Sequence, residues 1–198
     1  LSEQYQNVKH LQFYVADVRD RDRMEEAMCG HDVVIHAAAL KHVPMVEQNP
    51  VEGVLTNVIG SRNVADACVT HGVKAMVLIS TDKAVNPPNI MGATKRLAES
   101  YCQALDIDTA KTDGTRFVTV RFGNVLGSTG SVVPLFQKQL EAGGPLTITH
   151  PEVTRFFMTI REAVELVLQA SALGTAGERN AGRIHVLEMG APVKILEL

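Results

Sequence analysis

Apolar residues along this chain follow two rhythms. Short β-branched runs alternate with longer stretches whose apolar positions recur at helical spacing. Leu11 to Ala16 reads as a strand ending at Asp17, and Arg21 to Met28 as a helix stopped by Gly30. Asp32 to Ala37 is a second strand, followed by small residues and a polar loop, Lys41-His42-Val43-Pro44. Asn49-Pro50 opens a helix, with a cap and then proline at its first position. Val51, Val54, Leu55, Val58 and Ile59 form its apolar stripe, and it stops at Gly72. Lys74 to Ser80 is the third strand, Met91 to Leu105 a helix, and Asp106 to Gly114 a polar loop. Phe117 to Phe122 is the fourth strand, and a glycine-rich loop, Gly123 to Ser131, follows it. Pro134 to Ala142 reads as a helix, Leu146 to Thr149 as a short strand, and Thr154 to Met158 as a loop or strand. Ile160 to Ala172 is a helix and Ile184 to Leu187 a last strand. This alternation predicts an α/β fold with a doubly wound parallel sheet.

One stretch concentrates the chemistry. Val77-Leu78-Ile79 runs without a break into Ser80-Thr81-Asp82-Lys83. A buried parallel strand delivers polar groups in this way to the carboxyl edge of its sheet, where open α/β folds bind ligands. Met91 and Lys95 lie one helical turn apart on one face. Thr81, Asp82, Lys83 and Lys95 are therefore expected in one pocket.

Composition narrows the class. The chain has 198 residues, 45% hydrophobic and 21% charged, with net charge -3. That fits one globular domain and gives no broad nucleic-acid surface. No apolar run reaches the roughly 18 residues of a membrane span, and no signal peptide is visible. Cys29, Cys68 and Cys102 lack metal-ligand spacing and read as buried free thiols of a reducing compartment. No metal site is expected.

Six motifs in order, spread over nearly the whole chain, resemble the extended short-chain dehydrogenase/reductase superfamily. They are His36-Ala37-Ala38-Ala39-Leu40-Lys41-His42-Val43-Pro44, Ser80-Thr81-Asp82-Lys83-Ala84, Asn86-Pro87, Gly92-Ala93-Thr94-Lys95, Arg121-Phe122-Gly123-Asn124-Val125 and Thr154-Arg155-Phe156. Within that superfamily the chain resembles the nucleotide-sugar dehydratases of bacterial capsule and O-antigen synthesis, of the UDP-N-acetylglucosamine 4,6-dehydratase type. The resemblance implies a Rossmann-like core over residues 1–122 and substrate-binding loops and helices over 123–198, interleaved as one unit. It also implies NAD rather than NADP as cofactor, a UDP-sugar as substrate, a homo-oligomer, and a cytoplasmic domain of a parent with a possible inner-membrane anchor.

Two departures stand out. The superfamily's Tyr-x-x-x-Lys motif has Met91 in place of the tyrosine, and a thioether carries no ionisable proton. That substitution resembles the membrane-anchored branch of these dehydratases. The family's glycine-rich phosphate turn has no counterpart before Asp17, so the chain reads as a fragment. In the family's sheet two strands lie between the first two strands seen here. Their absence predicts a gap of about 15 Å, from three strand spacings. The Leu11 to Ala16 strand is then expected to be displaced, paired with another chain, or re-paired to its neighbour.

The resemblance also assigns roles. Lys83 is the base at C5 of the sugar, and Asp82 the acid for the departing C6 hydroxyl. With Met91 beside it, Thr81 is the candidate to contact the C4 hydroxyl and, through water or a neighbouring charged group, to relay its proton, while Met91 packs against nicotinamide or sugar. Lys95 binds the nicotinamide ribose. Asp17 and Val18 lie at the adenine edge, and Ala37, Ala38 and Ala39 let the cofactor approach the backbone. Asn57 bridges backbone near the site. Lys41 and His42 face the sugar or diphosphate, and Asn124 and Arg155 hold the sugar and phosphates. The rivals are a UDP-sugar 4-epimerase or reductase of the same fold, and a non-catalytic NAD-binding module.

Overall fold

The computed structural model describes residue 5 and residues 10–128, 132–148, 150–176 and 181–197. The elements run, in order, α1 (Arg21–Met28), β1 (Val33–His36), α2 (Val43–Gln48), α3 (Pro50–Val54), a π-helical segment (Leu55–Gly60), α4 (Ser61–Thr70) and β2 (Ala75–Thr81). Then come α5 (Ile90–Thr109), β3 (Arg116–Phe122), β4 (Asn124–Val125), α6 (Val132–Glu141), β5 (Thr154–Arg155), β6 (Phe157–Met158), α7 (Ile160–Thr175), β7 (Ile184–Val186) and β8 (Val193–Lys194). The main sheet has the order β1-β2-β3-β7, with every pairing parallel.

Burial explains the arrangement. β2 is apolar on both faces, so alternate residues enter two separate cores. Met76 and Leu78 join Phe117 with Val64, Ala65 and Cys68 of α4 and Ala98 and Cys102 of α5. Val77 joins Val118 and Val120 with Ala163, Val167 and Ala170 of α7. The sheet is therefore covered by α4 and α5 on one side and α7 on the other. α7 presses closely enough that a Cβ on Gly174 would sit 2.6 Å from Val118.

The middle of the chain forms close to where its pattern places it. α1 matches its expected span, and Gly30 and Gly72 end their helices with φ of +76° and +64°. The helix opened by Pro50 runs on to Thr70, but through a wider π-helical stretch that periodicity does not reveal.

Four expectations are corrected. Leu11 to Ala16 is not a strand among the described residues, and Val15 is 96% exposed. Its apolar alternation is real, yet among the described residues β1 pairs with β2 alone, so re-pairing to that neighbour, one of the three outcomes expected for this segment, does not occur. Val43 and Pro44, read as the end of a polar loop, open α2, which runs on to Gln48 with proline in its first turn. Leu146 to Ile148 forms no strand, and Thr149 lies outside the described residues, as do Thr129, Gly130 and Ser131 of the glycine-rich loop. Cys29 is exposed at the end of α1, whereas Cys68 and Cys102 are buried.

Asp106 also departs from its reading as a loop residue. It lies inside α5, 1% exposed, and accepts from Phe117 N at 2.8 Å, Gly182 N at 2.8 Å and Arg116 Nε at 3.1 Å. It therefore ties the end of α5 to the start of β3.

Candidate active site

The carboxyl ends of β1, β2 and β3 open into a cavity of about 590 Å³. Ten of the residues singled out in the sequence line it: Ala37, Ala39, Lys41, His42, Thr81, Lys83, Met91, Lys95, Asn124 and Arg155.

β2 ends in a short hydrogen-bonded chain. Thr81 Oγ1 donates to Asp82 Oδ1 at 2.9 Å, and Lys83 Nζ donates to the same oxygen at 3.0 Å. Lys83 Nζ also lies 3.5 Å from Asn124 Oδ1. Asp82 is not itself part of the lining, but it joins the two lining groups on either side of it. Thr81 Oγ1 further accepts from Lys83 N at 3.3 Å, which begins the 3₁₀ turn Asp82–Ala84. Gly92 lets α5 approach this turn: a Cβ there would overlap the Lys83 carbonyl oxygen.

Lys95 reaches the cavity from α5. Its residue is 6% exposed, and Nζ donates to the Ile79 carbonyl at 2.6 Å. An ammonium has three donors, so two remain for a ligand among the described contacts. Burial pulls Lys95 down to about 8, against the nearby Glu99 charge and Cys102, which raise it. Met91 is 3% exposed and lines the cavity beside it.

Asn57 is fully buried and acts as a staple. Its Oδ1 accepts from Leu40 N at 2.7 Å, and its Nδ2 donates to Leu40 O at 2.9 Å and Thr94 Oγ1 at 3.0 Å. One side chain thus ties the loop after β1 to α5. His36 supports it from below. Burial, then the Lys95 charge, pull His36 down to about 4, so its ring is neutral at pH 7. Ser61 gives its only proton to Asn57 O at 2.7 Å, so the His36 Nε2 contact at 2.9 Å is a donation from the ring.

The outer wall is different. Val132, Leu135 and Phe136 of α6, with Ile148, Val153 and Ile195, give it an apolar surface. Arg155 lines it too, with Nη1 on the Thr154 carbonyl at 2.8 Å. Lys41 and Ser128 also line the cavity, with Lys41 Nζ 3.5 Å from Ser128 Oγ.

Some candidates lie elsewhere. Ala38 and Asn57 do not line the cavity. Asp17 and Val18 lie outside it, before α1. Asp17 is gripped by Arg19, whose hydrogen bonds hold its carboxyl at about 2, and Val18 packs over Gly60. The sequence reading missed Glu99, Gly92 and the apolar wall. Glu99 carries one signal: an acid one turn after Lys95, with an arginine, Arg121, near the end of the neighbouring apolar strand.

Comparison with known proteins agrees with this geometry. Over residues 1–198 the chain matches the family described as polysaccharide biosynthesis protein. It is 53% identical to the capsular polysaccharide biosynthesis protein CapD of Staphylococcus aureus, over 100% of this chain and 32% of that protein. It is 45% identical to an inverting UDP-N-acetylglucosamine 4,6-dehydratase of Campylobacter jejuni, over 82% of this chain and 48% of that one. A protein of Rickettsia canadensis named UDP-glucose 4-epimerase is 46% identical, over 85% and 49% respectively. The crystal structure of Pen from Bacillus thuringiensis superposes with a TM-score of 0.91 at 36% identity, covering 99% of this chain and 59% of that one. The chain spans between 31% and 56% of the curated relatives named here and their neighbours. Its parallel, two-sided sheet is the Rossmann-like fold of sugar-nucleotide dehydratases and epimerases. With a family match along its whole length and the motif residues gathered at one sheet edge, the chain belongs to the polysaccharide biosynthesis protein family.

Proposed function

We propose that this domain carries the reaction centre of an NAD-dependent UDP-N-acetylhexosamine 4,6-dehydratase, acting on UDP-N-acetylglucosamine in surface-polysaccharide synthesis. The observation that carries the reading is the meeting of Thr81 and Lys83 on one oxygen of Asp82, beside a methionine where a tyrosine base would stand.

The residues fit the nicotinamide half of NAD. Lys95 has two donors to spare inside a buried wall, and Ala37 and Ala39 keep that wall low at the end of β1. When bound, NAD supplies the acceptor for the C4 hydride and the donor that returns it to C6.

The chain's own residues manage the protons. Thr81 Oγ1 takes the C4 hydroxyl proton as it passes its own to Asp82 Oδ1. Asp82 then gives that proton to the C6 hydroxyl, whose C–O bond breaks to release water. Lys83 Nζ takes the C5 proton, and the C5–H electron pair becomes the C5–C6 double bond. When hydride reaches C6, Lys83 returns a proton to C5. The water thus carries away the proton Thr81 gave up, the C4 hydroxyl proton takes its place on Thr81, and Thr81, Asp82 and Lys83 all end as they began. Met91 packs against the reactants, and Asn124 steadies the Lys83 amine. Lys41, His42 and Arg155 line the side where sugar and diphosphate would lie, a guanidinium fork suiting phosphate oxygens.

The test uses the intact protein with UDP-N-acetylglucosamine in deuterated water, followed by NMR. A 4-keto-6-deoxy product with deuterium at C5 is expected, and Lys83→Ala should lower turnover by at least about 10²-fold. A C4 epimer as the sole product overturns the reading in favour of an epimerase.

A further inference from the structure

Beneath the cavity floor lies a charged group that touches no ligand. Glu99 of α5 is 0% exposed, yet it accepts from four donors on three elements. Ser80 Oγ and Arg121 Nε at 2.7 Å share its Oε1, while Arg121 Nη2 and Arg96 Nη1 at 3.2 Å share its Oε2. Ser80 and Arg121 face each other across the β2–β3 ladder. One carboxylate therefore clamps two strand ends to α5, immediately before Thr81 on one strand and Phe122 on the other.

A buried carboxylate is expensive unless fully paired. Burial alone would raise Glu99, but Arg121, Ser80 and Arg96 hold it below its ordinary value, so it is an anion. Glu99 also stands one turn after Lys95 on the same face of α5. The other titratable groups around Lys95 are Cys102 on α5 and His36 on β1, and Lys83 lines the same cavity. Among the groups that act on the Lys95 proton, Glu99 is the charged one that favours it, with Cys102 adding less.

We propose that Glu99 is a positioning residue of the active site, which fixes the ends of β2 and β3 against α5 and sets its carboxylate one helical turn from the Lys95 ammonium. The proposal rests on the reading of Lys95 as a cofactor-binding cation.

Two readouts on the intact protein separate its failure from failure of the proposed function. The first needs no substrate: the Lys95 ammonium is titrated by NMR with ¹³C-labelled lysine, its signal assigned through Lys95→Arg. Glu99→Gln keeps the shape and the acceptor oxygen but removes the charge. The Lys95 midpoint should fall by about 1 unit or more, as expected for loss of an opposite charge one helical turn away. The second is the alkaline limb of the kcat/KM profile, which should move down with it. Glu99→Asp keeps the charge, so it should lower kcat/KM without moving the limb. If Glu99→Gln leaves Arg121 unpaired and fails to fold, the double variant Glu99→Gln, Arg121→Met removes the buried pair together, a change cores tolerate. A smaller downward shift is expected there, because the positive charge of Arg121 goes with the carboxylate, which stands one turn from Lys95. In Glu99→Gln, an unmoved Lys95 midpoint, or an equal loss of kcat/KM at every pH, overturns the proposal. A shifted midpoint in a protein that turns over no UDP-sugar sustains it and overturns the substrate instead.

Discussion

The two walls of the cavity are built differently. The inner wall, made by the ends of β1, β2 and β3 with α5, holds each polar group by named partners. Asn57, Glu99 and Lys95 are all 6% exposed or less. The outer wall carries α6, in which no described residue is buried, and two small two-stranded ladders, β4–β6 and β5–β8. Leu135, Leu146 and Ile148 on that side are 36% exposed or more. The inner wall is over-determined and suits chemistry that needs fixed distances. The outer wall is held by few contacts and suits the job of enclosing a ligand.

Substitutions can break this contrast. Gly92→Ala should do the most harm, because its Cβ would meet the Lys83 backbone carbonyl and come within 3.0 Å of Pro87. We expect a loss of about 3 kcal/mol in urea denaturation, together with loss of turnover, because backbone cannot yield as a flexible side chain does. An unchanged urea midpoint would show that the inner wall can give.

Lys95→Met should separate stability from function. The folded state holds Lys95 at about 8, below its ordinary 10.5, so the unfolded chain binds the extra proton between those values. Stability on this account is lowest below about pH 8 and recovers as pH rises toward 10.5. The methionine variant should therefore be about 1 kcal/mol more stable than wild type at pH 7, after the lost Ile79 bond is counted. The gain should vanish near pH 10, and turnover should be abolished. Urea midpoints at the two pH values test it.

Leu135→Ala should do least to the fold. Leu135 is 49% exposed, so the change in stability should stay within about 0.5 kcal/mol, while KM rises several-fold. A stability loss as large as that of Gly92→Ala would erase the difference between the walls.

The same contrast decides what the sequence discloses. The inner wall is legible because β2 is buried on both faces, which leaves an unmistakable apolar run before Thr81, and because Met91 and Lys95 share a helix face. Local pattern does not report partners, however. Leu11 to Ala16 alternates like a strand, but a strand exists only when something pairs with it, and β1 pairs elsewhere. α2 goes unseen because it is six residues long, too short to show a helical period, and Val46 is its one buried residue. Glu99 is opaque for a related reason: a glutamate in a helix reads as solvent-facing until Arg121 is known to lie opposite. The outer wall is harder still, because its residues come together from segments too short to show a period.

The π-helical stretch Leu55–Gly60 has a further consequence. A residue added to a helical turn shifts the phase of all that follows by about 100°. Within the wide turn, Asn57 points its amide at the Leu40 loop; after it, Val64, Ala65 and Cys68 present their apolar face to the sheet. A regular helix of this sequence would have to choose between those two orientations. The wide turn works as a gear in one continuous rod, letting its first half serve the site and its second half serve the core. Length there is consequently as constrained as identity: removing one residue would leave every side chain in place in the sequence and turn half of them the wrong way.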